Sequence, residues 1–314
     1  MHTFKTEFTD YDLYQEFTEN WDVDFRMLSN SSFYVYLNMF LGDAIQLSRT
    51  SLNGKVDQYG LSPKGFRSIV VPACKKGHFI WLGKKVTNQN LLIFPKDRTL
   101  DAISFDEFEI FIVDIKEDFL LRTLENFKYK NALKLFNGQE QYLQLDQQFL
   151  RNFHHLAENF LQQALIQQSR NIISENLQYY LTEAIVFPLL KYINNNPQKD
   201  AEPKARKRDV AIKKAVEIIN SYPQKTPTIS QLCELTSVSE RTLEYAFLEK
   251  YQVSPSEYIK ATKLHKIRNE LIATREQNTK IYTIANKYGF GHMSQFAADF
   301  KNQFGCLPSQ IQSS

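Results

Sequence analysis

Two periodicities divide the chain. Between about Phe33 and Val113, apolar residues gather in short runs: Phe33-Tyr-Val-Tyr-Leu, Ser68-Ile-Val-Val, His78-Phe-Ile-Trp-Leu and Glu109-Ile-Phe-Ile-Val. β-Branched and aromatic residues dominate them. Turn signals separate them: Asn53-Gly54, Ser62-Pro63-Lys64-Gly65 and Pro95-Lys96-Asp97. Short strands at close spacing predict a small sandwich or barrel. After Asp118 the spacing becomes helical. From Gln147 to Gln168 the apolar positions are Phe149, Leu150, Phe153, Leu156, Ala157, Phe160, Leu161, Ala164 and Leu165, the stripe of one long helix. A second helical stretch runs from about Ile172 to Ile193, and Pro188 is expected to kink or break it.

A polar segment then interrupts the pattern: Asn194-Asn-Asn-Pro-Gln-Lys-Asp-Ala-Glu-Pro-Lys-Ala-Arg-Lys-Arg208. It predicts a domain at 1–196 (β-rich over 30–115, helical over 119–193), a linker at 197–208 and an all-helical domain at 209–314. Charge sharpens that division. Residues 197–314 hold 18 Lys+Arg against 12 Asp+Glu, while residues 1–196 hold 20 against 23. A basic module on a mildly acidic one suits phosphate binding at the C-terminal end.

The C-terminal segment contains an internal repeat. The first copy runs Ile229-Ser-Gln-Leu232-Cys233-Glu-Leu-Thr-Ser237-Val238-Ser-Glu-Arg-Thr-Leu243 to Phe247, Tyr251 and Pro255. The second runs Ile281-Tyr-Thr-Ile284-Ala285-Asn-Lys-Tyr-Gly289-Phe290-Gly-His-Met-Ser-Gln-Phe296 to Phe300, Phe304 and Pro308. The offset is 52 residues through the turn and 53 after it. Each copy has a helix with a small residue after a large apolar one, a tight turn at Ser237 or Gly289, an apolar plug (Val238, Phe290) and a second helix with one apolar face. That is helix-turn-helix grammar. Gly suits a turn needing φ > 0, so Ser237 should be slightly strained. Between the copies, Ser254-Pro255-Ser256-Glu257 is a capping box opening a helix to about Ala273. At ~1.5 Å per residue that rod is nearly 30 Å long. It suits two recognition helices about one DNA turn, ~34 Å, apart.

The doubled motif resembles the AraC/XylS family across roughly 209–312. The carrying residues are Ile284, Ala285, Phe290, Phe296, Phe300, Phe304 and Pro308. The wording Val-Ser-Glu-Arg-Thr-Leu and Gly-Phe-Gly-His-Met-Ser-Gln-Phe-Ala-Ala-Asp-Phe is similar to the subgroup of the ethanolamine-utilisation regulator. The resemblance implies an α+β chain: a β-rich jelly-roll or cupin-like domain with C-terminal helices, then the double helix-turn-helix. It further implies a transcription activator of homodimeric type, with the second unit near RNA polymerase. It also favours reading the 147–168 helix as a dimerisation helix rather than an ordinary core helix.

Orientation in the first copy follows from its apolar face. Leu243 and Phe247 point inward, so Arg241, Glu244 and Tyr245 point outward, and the resemblance implies the same three as base-reading positions. Arg241 can bond guanine, Glu244 can accept from cytosine, and Tyr245 can touch a thymine methyl or a phosphate. The matching positions of the second copy are Ser294, Ala297 and Ala298, flanked by His292 and Gln295. Two alanines make no hydrogen bond to a base, so this copy should lean on phosphates and DNA shape. The expected phosphate partners are Lys250, Lys263, Arg268 and Lys301.

The remaining chemistry is sparse. Cys74, Cys233 and Cys306 form no CxxC pair, so neither a disulfide framework nor a zinc site is expected, and a reducing cytoplasm fits. No apolar run reaches ~18 residues, and the opening MHTFKTEFTDYD lacks a signal-peptide pattern, so no membrane association is expected. His78 has no HxH partner, so no metal is expected; no cofactor fingerprint and no catalytic constellation are present. Tyr34, Phe79, Trp81 and Phe94 are either the lining of an effector pocket or sandwich core. The expected partners are double-stranded DNA and a small-molecule effector. The alternative is a DNA-binding regulator without a ligand, controlled by expression level or a protein partner.

Overall fold

A computed structural model describes residues 1–18, 23–28, 33–60, 63–73, 78–94, 100–105, 108–137, 142–170, 175–196, 207–222, 224–225, 227–277 and 279–313. They divide into two compact units. One comprises Met1–Asp24, Phe33–Asn53 and Gln58–Ala201, and the other Phe25–Ser32, Gly54–Asp57 and Glu202–Ser314. The expected linker at 197–208 lies outside the described residues except for Lys207 and Arg208, which are helical rather than linker. The turn at Pro95-Lys96-Asp97 and Cys74 also lie outside them.

The strands are β1 (His2–Phe8), β2 (Val23–Met27), β3 (Val35–Leu41), β4 (Ile45–Leu52), β5 (Val56–Gly60), β6 (Phe66–Pro72), β7 (His78–Trp81), β8 (Lys84–Thr87), β9 (Asn90–Ile93), β10 (Leu100–Ser104), β11 (Phe108–Lys116) and β12 (Tyr142–Gln144). The first unit carries helices α1 (Tyr11–Phe17), α2 (Glu117–Asn126), α3 (Lys130–Asn137), α4 (Gln147–Ser169), α5 (Glu175–Leu181) and α6 (Phe187–Asn195). Its main sheet has the order β1-β3-β4-β11-β6-β9-β12. Neighbours run antiparallel, with Phe40 opposite Leu47 and Val113 opposite both Leu47 and Ile69. Strand alternation puts Phe40, Ile45, Leu47, Ile69, Val71, Leu91, Phe111, Val113 and Ile115 on one face. That face buries against Phe153, Ala157, Phe160, Leu161 and Ala164 of α4 and against Leu181, Leu189 and Ile193. Each fully buried side chain of this size contributes about 1.5–3 kcal/mol. The expected α+β class, a β-rich domain with appended helices followed by a helical domain, is the one observed.

Two local outcomes bear on open expectations. Most of the apolar stripe of α4 is buried in this core, while Leu150, Leu156 and Leu165 stay half-buried. Pro188 does not end the helical run, but the regular pattern is disturbed just before it: α5, a π-helical turn at Thr182–Val186 and α6 follow without a gap. A proline leaves a carbonyl one turn earlier without a donor, and the wider π turn accommodates that locally.

The second unit holds α7 (Lys207–Ser221), α8 (Ile229–Thr236), α9 (Glu240–Tyr251), α10 (Pro255–Ala273), α11 (Ile281–Lys287), α12 (Met293–Phe304) and α13 (Pro308–Ser313). The predicted capping box opens α10: Ser254 Oγ accepts from the Glu257 N–H, and Glu257 accepts from the Ser254 N–H. α10 is buried on more than one face, through Tyr258, Ala261, Leu264, Ile267, Arg268 and Leu271 among others. Residues 25–28 and 54–57 contribute to this unit. Arg26 Nη1 donates to the Tyr258 hydroxyl (2.9 Å) and to Thr262 (3.1 Å), and Tyr258 donates to Asp57 (2.8 Å). The Met27 N–H donates to His265 Nε2 at 3.1 Å, and Gln303 donates to the Met27 carbonyl at 2.6 Å. A buried guanidinium is costly alone, and Asp57 at 3.5 Å offsets its charge.

Candidate nucleic-acid interface

The two copies fold alike where their sequences agree. In the first, α8 leads through Ser237 into α9; in the second, α11 leads through Gly289 into α12. The same wrap-back bond closes both turns. The Val238 N–H reaches the Cys233 carbonyl at 3.1 Å, and the Phe290 N–H reaches that of Ala285 at 3.0 Å. Both turns need the left-handed region: Ser237 has φ 57° and Gly289 has φ 85°. The expected strain at Ser237 is therefore present, because an L side chain with a Cβ is disfavoured there. Leu232, Leu243 and Phe247 are fully buried in the first copy, as are Ile284, Ala285, Phe296 and Phe300 in the second.

Their starts differ. Ser239 Oγ accepts from the Thr242 N–H and caps α9. His292 at the start of α12 makes no side-chain cap bond, so the first amides of that helix have no such partner. Amides of this kind attract anions.

The outward face of α9 carries Arg241, Glu244 and Tyr245, all exposed, with Tyr245 at 57%. The Arg241 guanidinium sits 5.7 Å from the Tyr245 ring centroid, which pre-orients both side chains. Sequence reasoning passed over Leu248. It is 46% exposed and lies one turn beyond Glu244 and Tyr245. Its spacing was the available signal. On α12, Ser294, Gln295 and Ala298 are exposed and Ala297 is half-buried, with His292 exposed beside them. Gln295 is already engaged: its amide donates to Asp299 at 3.2 Å, and Asp299 also holds Lys260 at 3.2 Å.

The expected phosphate partners separate. Lys301 is exposed, and Lys250 is half-buried with its ammonium 5.0 Å from the Tyr251 ring centroid. Lys263 is half-buried behind the Gly289 turn, and burial lowers its pKa. Arg268 is a correction. It is 2% exposed and its guanidinium lies 4.8 Å from the Phe304 ring centroid, so it does not present a charge to DNA. The reason was visible in the spacing: Leu264, Ile267, Arg268 and Leu271 share one buried stripe.

Of the four aromatic residues considered for an effector pocket, Phe79, Trp81 and Phe94 are buried. Trp81 packs edge-on against Phe94 and Phe79 against Phe108, all of them buried. Tyr34 is half-buried. Phe79, Trp81 and Phe94 fill core space.

A family of helix-turn-helix domains matches residues 232–314. The "Probable thc operon regulatory protein" of Rhodococcus erythropolis is 28% identical over 99 residues, covering 32% of this chain and 30% of that relative. The "XylDLEGF operon transcriptional activator 3" of Pseudomonas putida is 27% identical over 242 residues, covering 74% of this chain and 69% of the relative. A solved structure described as a probable AraC family transcriptional regulator from Rhodopseudomonas palustris CGA009 is 28% identical. It covers 33% of this chain and 94% of that one, with a TM-score of 0.31. The chain thus spans less than a third of the length of the Rhodococcus relative.

The doubled motif and the matched domain define a helix-turn-helix protein over residues 232–314. The curated relatives are named as an operon regulatory protein and an operon transcriptional activator. Nothing in the matches singles out the ethanolamine-utilisation subgroup.

Proposed function

We propose that the chain is a sequence-specific transcription activator in which α9 reads bases and α12 chiefly holds the backbone. The observation that carries this reading is the outward display of Arg241, Glu244 and Tyr245 on a helix that is capped and buried along its other side. α12 offers Ser294, Gln295 and His292 beside two alanines, together with an uncapped start and Lys301. Lys250 and Lys263 complete the phosphate-facing set. The Pseudomonas relatives named as operon transcriptional activators support activation, and the family resemblance supports a homodimer touching RNA polymerase in the cytoplasm. Residues 1–196 serve as the effector-binding and dimerisation domain, joined through 197–206 to the DNA-binding domain, whose first helix starts at Lys207.

Selection of bound duplexes from a random pool tests the reading, repeated with Arg241→Ala. A selected site of about 20 bp is expected, with one or two base pairs losing their preference in the variant. An unchanged motif in the variant overturns the base-reading role of α9.

A second reading has a specific observation behind it. Phe79, Trp81 and Phe94 are packed into core, which favours a β-rich domain whose interior holds no ligand. In that case control passes to expression level or to a protein partner. Operator affinity that no small molecule changes is its signature.

A further inference from the structure

A cleft of about 100 Å³ opens between α4 and the β1-β3-β4 edge of the main sheet. Two polar features of it are chemically unspent, and its third is an apolar wall. Asn38 on β3 is 5% exposed, and its Oδ1 is buried with no hydrogen-bond partner among the described residues. Lys5 on β1 lies over the Tyr36 ring, 5.3 Å from its centroid, and makes no ion pair among the described residues. Leu161 and Leu165 of α4 form an apolar wall.

The second cation of the cleft is already neutralised. Arg49 gives Nε to Glu109 at 2.7 Å and Nη1 to Glu158 at 2.6 Å. Its guanidinium flanks the same Tyr36 ring at 6.0 Å. A new anion would therefore find its counter-charge at Lys5. The walls are held in place: Gln168 of α4 bonds both the N–H and the carbonyl of Thr3 on β1.

We propose that this cleft binds a short hydroxycarboxylate. Its carboxylate pairs with the Lys5 ammonium, its hydroxyl donates to Asn38 Oδ1, and its carbon chain lies on Leu161 and Leu165. A buried amide oxygen left without a donor is destabilising, and the ligand hydroxyl supplies that donor. Size limits the class. A 150 Å³ cavity takes the six carbons of benzene, so this cleft encloses about four non-hydrogen atoms, and the rest of a five- to seven-atom ligand projects through its open side. A hydroxyl suits the Asn38 acceptor better than an ammonium, because Lys5 and Arg49 already line the site.

This inference rests on the effector reading of the first unit and places that effector outside the aromatic cluster. The test is calorimetric titration of the full-length chain with glycolate, L-lactate and 3-hydroxybutyrate, against propionate and 1,2-propanediol. At least one hydroxycarboxylate should bind, and at least about tenfold more tightly than the compounds lacking either group. Lys5→Gln, a surface change, should weaken binding by a similar factor, as should Asn38→Leu where circular dichroism shows it folded. No binding by the three acids overturns the proposal, as does binding that Lys5→Gln leaves intact. Operator titration separates the two readings. A hydroxycarboxylate that binds here without changing operator affinity keeps the site and rejects the effector role. Another compound that shifts operator affinity equally in wild type and Lys5→Gln keeps the effector role and rejects the site.

Discussion

The two helix-turn-helix copies share a backbone but divide their chemistry. The first has a serine in the left-handed turn, a capped recognition helix and a face of long polar side chains. The second has glycine in the turn, an uncapped helix and a face of small residues, over a core of tilted and edge-on rings. Phe290, Phe296, Phe300 and Phe304 follow one another with centroids 5.3, 5.7 and 4.7 Å apart. The difference teaches that a repeat keeps what its fold needs, the plug and the buried stripe, and frees the outward face. The first copy is equipped to discriminate, the second to dock closely.

The largest expected effect tests whether the two cores are equivalent. Phe247→Ala and Phe300→Ala should each destabilise the second unit by about 3–5 kcal/mol in urea unfolding. A loss below about 1 kcal/mol in either would mean that its copy is not cored as described. Next comes the division of faces. Arg241→Ala should cost about 1–3 kcal/mol on the preferred operator and little on sequences altered at its base pair, while Ser294→Ala should cost less than about 1 kcal/mol. Equal losses on all sequences for both variants would erase the distinction.

Acid should then weaken the helix that joins the copies. His265 on α10 is buried, and its pKa is held well below the ordinary histidine value by desolvation and by the nearby charges of Arg26 and Arg268. It stays neutral in the fold and accepts the Met27 N–H. The unfolded chain takes up a proton below pH ~6.5, so stability is present above that pH and lost as pH falls. The melting temperature should be lower at pH ~5.5 than at pH ~7.5. His265→Gln, which keeps an acceptor, should flatten the melting temperature between those pH values; an unchanged slope would assign the acid sensitivity elsewhere.

The turns give a smaller, opposed pair. Ser237→Gly should stabilise by about 1 kcal/mol and Gly289→Ala should destabilise by a similar amount. The added methyl meets only the end of Lys263 at 3.7 Å, so the second cost is backbone strain. Shifts of the same sign in both would show that the turns are not conformationally equivalent. The smallest effect concerns phosphates. Lys301→Ala should reduce the salt slope of DNA binding by about one contact, near 0.9 in log–log units. A slope unchanged in Lys301→Ala would remove that lysine from the interface.

Much of this protein is written in its sequence. Local spacing determined both helix-turn-helix copies, the Ser254–Glu257 cap of α10 and four of the central strands, because each rests on residues within one or two turns of each other. The exposure of Arg241, Glu244 and Tyr245 followed from the same arithmetic, since the opposite side of α9 must bury Leu243 and Phe247. β1 escaped notice because its alternation places Thr3, a polar residue, at its one fully buried position. The fate of Arg268, the packing of Trp81 against Phe94 and the burial of the α4 stripe were decided only by tertiary structure. A stripe states that a face will be covered and leaves open what covers it. The allotment of residues 25–28 and 54–57 to the helical unit belongs to the same class, because the bonds from Arg26 and Met27 to α10 join residues more than two hundred positions apart, beyond the reach of any local pattern.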